Sequence, residues 1–151
     1  MVFAIAGQLL HNYLLPRDCP RVTYYANSAT TSQDRDRFLC GSATHVVAIE
    51  TAWFHRVNTT ILYSYEFPAG LFTLLDETAG YYISYQPVHP IAVRRIDNVF
   101  DELLSLDYIE LRILPELRTL GNAVIASTLS YSLIRMRNAK PQSRPPAGPV
   151  F

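Results

Sequence analysis

The residues best placed to do chemistry lie in one short stretch, Pro16-Arg17-Asp18-Cys19-Pro20-Arg21. Its two prolines fix the backbone on either side of a cation, an anion and a thiol. A stiff loop presents such groups to a ligand at low entropic cost. Two roles fit the pattern. Arg17, Asp18 and Arg21 bind a ligand, or one of the arginines pairs with Asp18 or bonds loose carbonyls and pins a turn. Cys19 is a nucleophile if nearby arginines depress its thiolate pKa, and otherwise a small buried thiol.

A second constellation sits near the end of the chain. Tyr131 to Arg137 alternates as a strand would, which puts Arg135 and Arg137 on one face. Two guanidinium groups pointing the same way suit phosphate or carboxylate; the competing reading is cross-strand pairing with Glu110 or Glu66. If the two constellations form one site, Arg17, Asp18 and Arg21 should lie near Arg135 and Arg137. Tyr82 and Ser84 share a strand face opposite Ile83 and make a candidate ligand wall. Glu110 and Arg112 share another face, where both can simply be solvated.

Familiar catalytic signatures are absent: no glycine-rich phosphate loop, no G-x-S-x-G and no H-E-x-x-H. His11, His45, His55 and His89 are scattered, and no pair has helical metal-ligand spacing, so no metal site is expected. Cys19 and Cys40 form neither a C-x-x-C pair nor a metal spacing and read as free thiols.

Charge and hydropathy bound the function further. The 13 basic and 13 acidic residues give a net charge of +0, against the basic excess a nucleic-acid binder carries. The basic residues are arginines except for Lys140. No apolar run approaches the ~20 residues needed to span a bilayer, so no membrane partner is expected. With no secretory leader, the default compartment is the cytoplasm. Apolar residues make up 49% of the 151, ample for one domain burying roughly 70% of its unfolded surface.

The elements that position these residues follow from local pattern. Met1 to Ile5 reads as a strand that begins without a polar lead-in, which predicts an element upstream of it. Gly7 to Leu15 reads as a helix with Leu9, Leu10, Tyr13 and Leu14 on one stripe, ended by Pro16. Val22 to Tyr25 is a strand. Thr31 or Ser32 caps a short helix carrying Asp34 and Asp36 in its first turn. His45 to Ile49 is an apolar strand followed by helical turns from Thr51 to Val57. Ile61 to Phe67 alternates clearly, and Leu71–Leu75, Tyr81–Tyr85 and Ile91–Arg95 are further strands. Asp97 is placed to cap a helix to Leu106. Ile109 to Leu114 alternates as a strand, and Pro115 opens a helix weakened by Gly121. The fold class is therefore α+β: a single domain over residues 1–139 with a mixed or largely antiparallel sheet and a few short covering helices. Residues 140–151 hold four of the ten prolines and read as a disordered tail.

The strings Leu15-Pro16-Arg17-Asp18-Cys19-Pro20-Arg21-Val22 and Ile134-Arg135-Met136-Arg137-Asn138-Ala139 carry a resemblance. So do Ile49-Glu50-x-x-Trp53, Leu62-Tyr63-x-Tyr65 and Gly80-Tyr81-Tyr82-Ile83-Ser84. Together the chain resembles an uncharacterised family of short bacterial proteins from about Phe3 to Ala139. That pattern begins earlier, with a histidine-bearing strand, and has an acidic residue where this chain has Ala6. The order of elements is also loosely similar to ADP-ribosyltransferase-like folds. That likeness implies Tyr82 and Ser84 as walls of a NAD cleft and Glu110 as the catalytic carboxylate stabilising a ribosyl cation. Three readings result: a domain binding an anionic small molecule through Arg17, Arg21, Arg135 and Arg137, its cofactor unassigned; a NAD- or nucleotide-using transferase; and an interaction module, such as a homodimer joined through the edge at Val2–Ile5.

Overall fold

A computed structural model describes residues 1–142. The centre is a four-stranded mixed sheet in the order β8-β3-β2-β9, built from β2 (Arg21–Tyr25), β3 (His45–Glu50), β8 (Ile109–Leu114) and β9 (Ser130–Ile134). β2 runs antiparallel to both neighbours, pairing Arg21 with Ile49 on one side and Ile134 on the other. β3 and β8 are parallel. β3 is buried from Val46 to Glu50, which explains why it reads as an unbroken apolar run: both of its faces are covered.

Alternation along β3 divides the core in two. Val47 and Ile49 pack with Leu14, Leu15, Cys19, Val57, Val99, Phe100 and Leu103, drawing in α2 (Phe54–Thr59) and α3 (Val99–Leu104). Val46 and Ala48 pack on the other face with Val22, Tyr24, Phe38, Leu117 and Val124, under α1 (Ser32–Phe38) and α4 (Arg118–Ile125). Gly121 suits the close approach there, because a Cβ would lie 3.2 Å from Leu133 and press on its side chain. The residue that weakens the helix by propensity lets it sit close.

Two smaller sheets flank the centre. β1 (Val2–Ile5), β6 (Tyr81–Ser84) and β5 (Thr73–Asp76) form one in the order β1-β6-β5. β4 (Leu62–Glu66) and β7 (Ala92–Ile96) form an antiparallel ribbon. The α+β class and the mixed and antiparallel pairing match the sequence expectation.

Several local expectations change. Gly7–Tyr13 is a 3-10 helix, and it buries Leu9, His11 and Asn12. Alternation in β4 is real, but Ile61, Tyr63 and Tyr65 are on the exposed side and Leu62 packs on the core. Asn98, not Asp97, caps α3 by accepting from the Asp101 N–H at 3.1 Å. Of the two candidate caps, Thr31 and Ser32, it is Thr31 that caps α1, accepting from the Asp34 N–H. The largest change is at β9, which stops at Ile134. Arg135 turns left-handed (φ 55°), and Met136–Asn138 is a 3-10 turn. Arg135 and Arg137 therefore do not share a strand face. The expected tail falls, from residue 143 onward, outside the described residues; at its start, the Lys140 N–H donates to Glu50 at 3.0 Å.

Candidate functional site

Arg21 lies beneath the proline loop and is only 2% exposed. Its Nε donates to the Cys19 carbonyl at 3.0 Å, and its two terminal nitrogens donate to Asn12 at 3.1 Å and Pro16 at 2.7 Å. Prolines at 16 and 20 remove backbone donors, so carbonyls in this turn need a partner from elsewhere. A guanidinium supplies several donors in a rigid fork. Of the two sequence readings for Arg21, the pinning of loose carbonyls is what the geometry displays. Burial pulls its pKa below the ordinary value, with the nearby charge of Arg135 adding to the effect.

Cys19 is fully buried, and burial pushes its thiol up to about 11 despite the neighbouring Arg21. Such a thiol is almost wholly protonated at neutral pH and is a poor nucleophile.

Above Arg21 is an open cleft of about 610 Å³ lined by Arg17, Arg21 and Arg135 together with Tyr13, Tyr81, Leu15, Leu62, Leu133 and Ile134. Its residues come from the 3-10 helix that ends at Tyr13, the proline loop, β2, β4, β6 and the end of β9. The left-handed step at Arg135 interrupts the strand alternation there, which is why strict alternation misplaced its side chain. Arg17 is exposed and Arg135 half-buried, and neither side chain has a hydrogen-bond or carboxylate partner among the described residues. Tyr13 and Tyr81 meet hydroxyl to hydroxyl at the wall, their ring centroids 5.8 Å apart. Burial first, and the bond to Tyr81 second, hold the Tyr13 phenol above its ordinary pKa.

The other predicted residues are distributed differently. Asp18 is exposed beside the cleft, and its carbonyl accepts from the Asn138 side chain at 2.8 Å. Arg137 is exposed and does not line the cleft. Ser84 is buried and exchanges hydrogen bonds with the backbone of Gln86, at 3.2 Å to its N–H. Tyr82 stands in register with Ala4 and Leu74, away from the cleft lining. Glu110 is on β8, three strands from β9 and so about 14 Å across the sheet. Its carboxylate accepts from Arg112 at 2.6 Å, and Arg112 also donates to the Phe38 carbonyl.

Matching against protein-family models covers residues 1–139. The chain belongs to a family of unknown function (DUF6886). Neither a curated protein nor a solved structure matches it. Among the described residues no helix is long and apolar enough to cross a membrane, and no group of three or more His, Cys, Asp or Glu could hold a metal ion.

Two features of this DUF6886 chain escaped sequence reasoning. Glu50 is buried, and its carboxylate accepts from the Leu117 N–H at the start of α4 and from the Lys140 N–H. Its place at the end of an apolar strand was the only available signal. His11 and His45, distant in sequence, come together with ring centroids 5.0 Å apart and Tyr108 against both. Nothing in their spacing announces this.

Proposed function

We propose that this chain binds an anionic small molecule in the cleft between the proline loop and the end of β9. One observation supports the reading most: Arg17, Arg21 and Arg135 converge on a single cleft with no carboxylate partner among the described residues. Unneutralised like charges at one place are unfavourable unless something anionic joins them. Arg21, fixed by three carbonyls, supplies a buried positive floor. Arg17 and Arg135 keep their donors free for a phosphate or carboxylate, the groups a guanidinium grips in bidentate fashion.

Glu110, Tyr82 and Ser84 line no part of this cleft, so no observation favours the NAD- or nucleotide-using transferase over simple binding. The homodimer reading keeps one point of support, since β1 is an edge of its sheet, and sedimentation of the purified chain addresses it.

A thermal-shift series with inorganic phosphate, pyrophosphate, citrate, AMP and NAD tests the binding. A ligand present at a hundredfold excess over its Kd stabilises by about 2.7 kcal/mol. At least one anion should raise Tm, and Arg135→Ala should remove that rise while leaving the unliganded Tm in place. No rise with any of the five would sink the reading.

A further inference from the structure

At the opposite end of β2 from Arg21, about 13 Å along the strand, is a second cleft of about 510 Å³. Its lining is the chemical reverse of the arginine cleft: Tyr25, Thr44, His45, Tyr108 and Gln8 with the carboxylate of Glu77, and no arginine or lysine. Three strand ends build it. Tyr25 closes β2 directly opposite His45, which opens β3. The Tyr108 carbonyl, just ahead of β8, accepts from the N–H groups of Thr44 and His45 at 3.1 and 3.2 Å.

The aromatic rings form a corner. Tyr25 stacks on His45 at 4.9 Å and 20°, and Tyr108 meets His45 nearly edge-on at 5.5 Å and 72°. His11 backs both rings from within the fold, its centroid 5.0 Å from His45 and 6.0 Å from Tyr108. Burial, with the proximity of His45 second, lowers the His11 pKa to about 4, and burial lowers that of His45. At neutral pH both imidazoles are uncharged, so no cation inside the corner repels another. The Tyr25 hydroxyl donates to the Thr78 carbonyl at 3.2 Å, which ties the turn bearing Glu77 to the aromatic wall. Glu77 is exposed, and its carboxylate has no partner among the described residues.

Aromatic faces set at an angle beside one carboxylate attract a cation, and do so best when that cation is large, weakly hydrated and apolar at its surface. We propose that this second cleft binds a small quaternary or methylated ammonium compound against Tyr108 and the stacked Tyr25–His45 pair, with Glu77 as the counter-charge. The site is independent of the anion cleft and stands whether or not that cleft is occupied.

Calorimetric titration with choline, set against its uncharged isostere 3,3-dimethylbutan-1-ol, tests it. Choline should bind and the isostere should not. Tyr108→Leu keeps an apolar side chain and removes the ring, and should weaken choline by about tenfold. Glu77→Gln, on the surface, should weaken it about threefold, while Arg135→Ala should leave it unchanged. Equal binding of the isostere, or no choline binding, overturns the proposal. So does unchanged affinity in Tyr108→Leu, and if that variant does not fold, unchanged affinity in Glu77→Gln does the same.

Discussion

The side-chain amide of Asn138 donates to the carbonyl of Asp18 at 2.8 Å, joining residues 120 positions apart. This bond holds the turn after β9 against the proline loop, and it sets Arg17 and Arg135 across one cleft. Asn138→Ala should therefore loosen the cleft more than the core. Its expected signature is an anion affinity several-fold weaker with stability lowered by only about 1 kcal/mol, read by thermal shift with and without ligand.

Arg21 and Arg135 should behave oppositely on substitution. Arg21→Ala leaves the carbonyls of Asn12, Pro16 and Cys19 without their donor inside the fold. Urea denaturation should show a loss of at least about 3 kcal/mol. Arg135→Gly relieves a left-handed residue (φ 55°) while freeing the unfolded chain. The two effects nearly cancel, so stability should stay within about 1 kcal/mol even as anion binding disappears.

The buried imidazole of His11 gives a pH dependence of known sign. Its folded pKa, about 4, lies below the ordinary 6.5, so protonation favours the unfolded chain. The full contribution is present above pH 6.5 and is lost progressively as the pH falls towards 4. The loss attributable to this residue reaches at most about 3 kcal/mol. His11→Phe fills the buried position without titrating. Between pH 7 and 4.5 the urea midpoint of the wild-type chain should fall relative to that of the variant, and parallel curves would exclude the effect.

Glu50 is expected to be a stability residue. Glu50→Gln keeps one oxygen for the N–H groups of Leu117 and Lys140 but puts a donor in place of the second oxygen, 3.2 Å from the Lys140 nitrogen. A cost of about 2 kcal/mol is expected, and amide exchange at Lys140 should speed up with it.

The thiols should separate cleanly. Cys40 is exposed and Cys19 is fully buried with its pKa near 11. An aromatic disulfide reagent should titrate one thiol quickly in the native protein and the second only in denaturant.

The contrast between legible and hidden features has a physical basis. β3 was legible because a strand covered on both faces must be apolar throughout, and α1 because Thr31 accepts from Asp34 as a cap should. The arginine pair at 135 and 137 was misread because alternation assumes an extended backbone. A left-handed residue at 135 breaks that assumption, and arginine gives no warning of it. The outward set of Ile61, Tyr63 and Tyr65 has no signal in the sequence, since alternation tells which residues share a face and not which face is wet. Arg17, Arg21 and Arg135 could be nominated from residue type, but their convergence depends on β9 pairing with β2, a long-range event with no local signature.

That pairing also governs when the cleft can exist during synthesis and folding. β2 emerges early and waits for β9, the latest strand of the described chain, before its second edge is satisfied. Closing so long a loop is slow relative to forming helices and local hairpins. Until β9 arrives, β2 is an open edge and Arg135 has not met Arg17. The arginine cleft is thus a late product of folding, and no ligand that depends on it can bind the nascent chain.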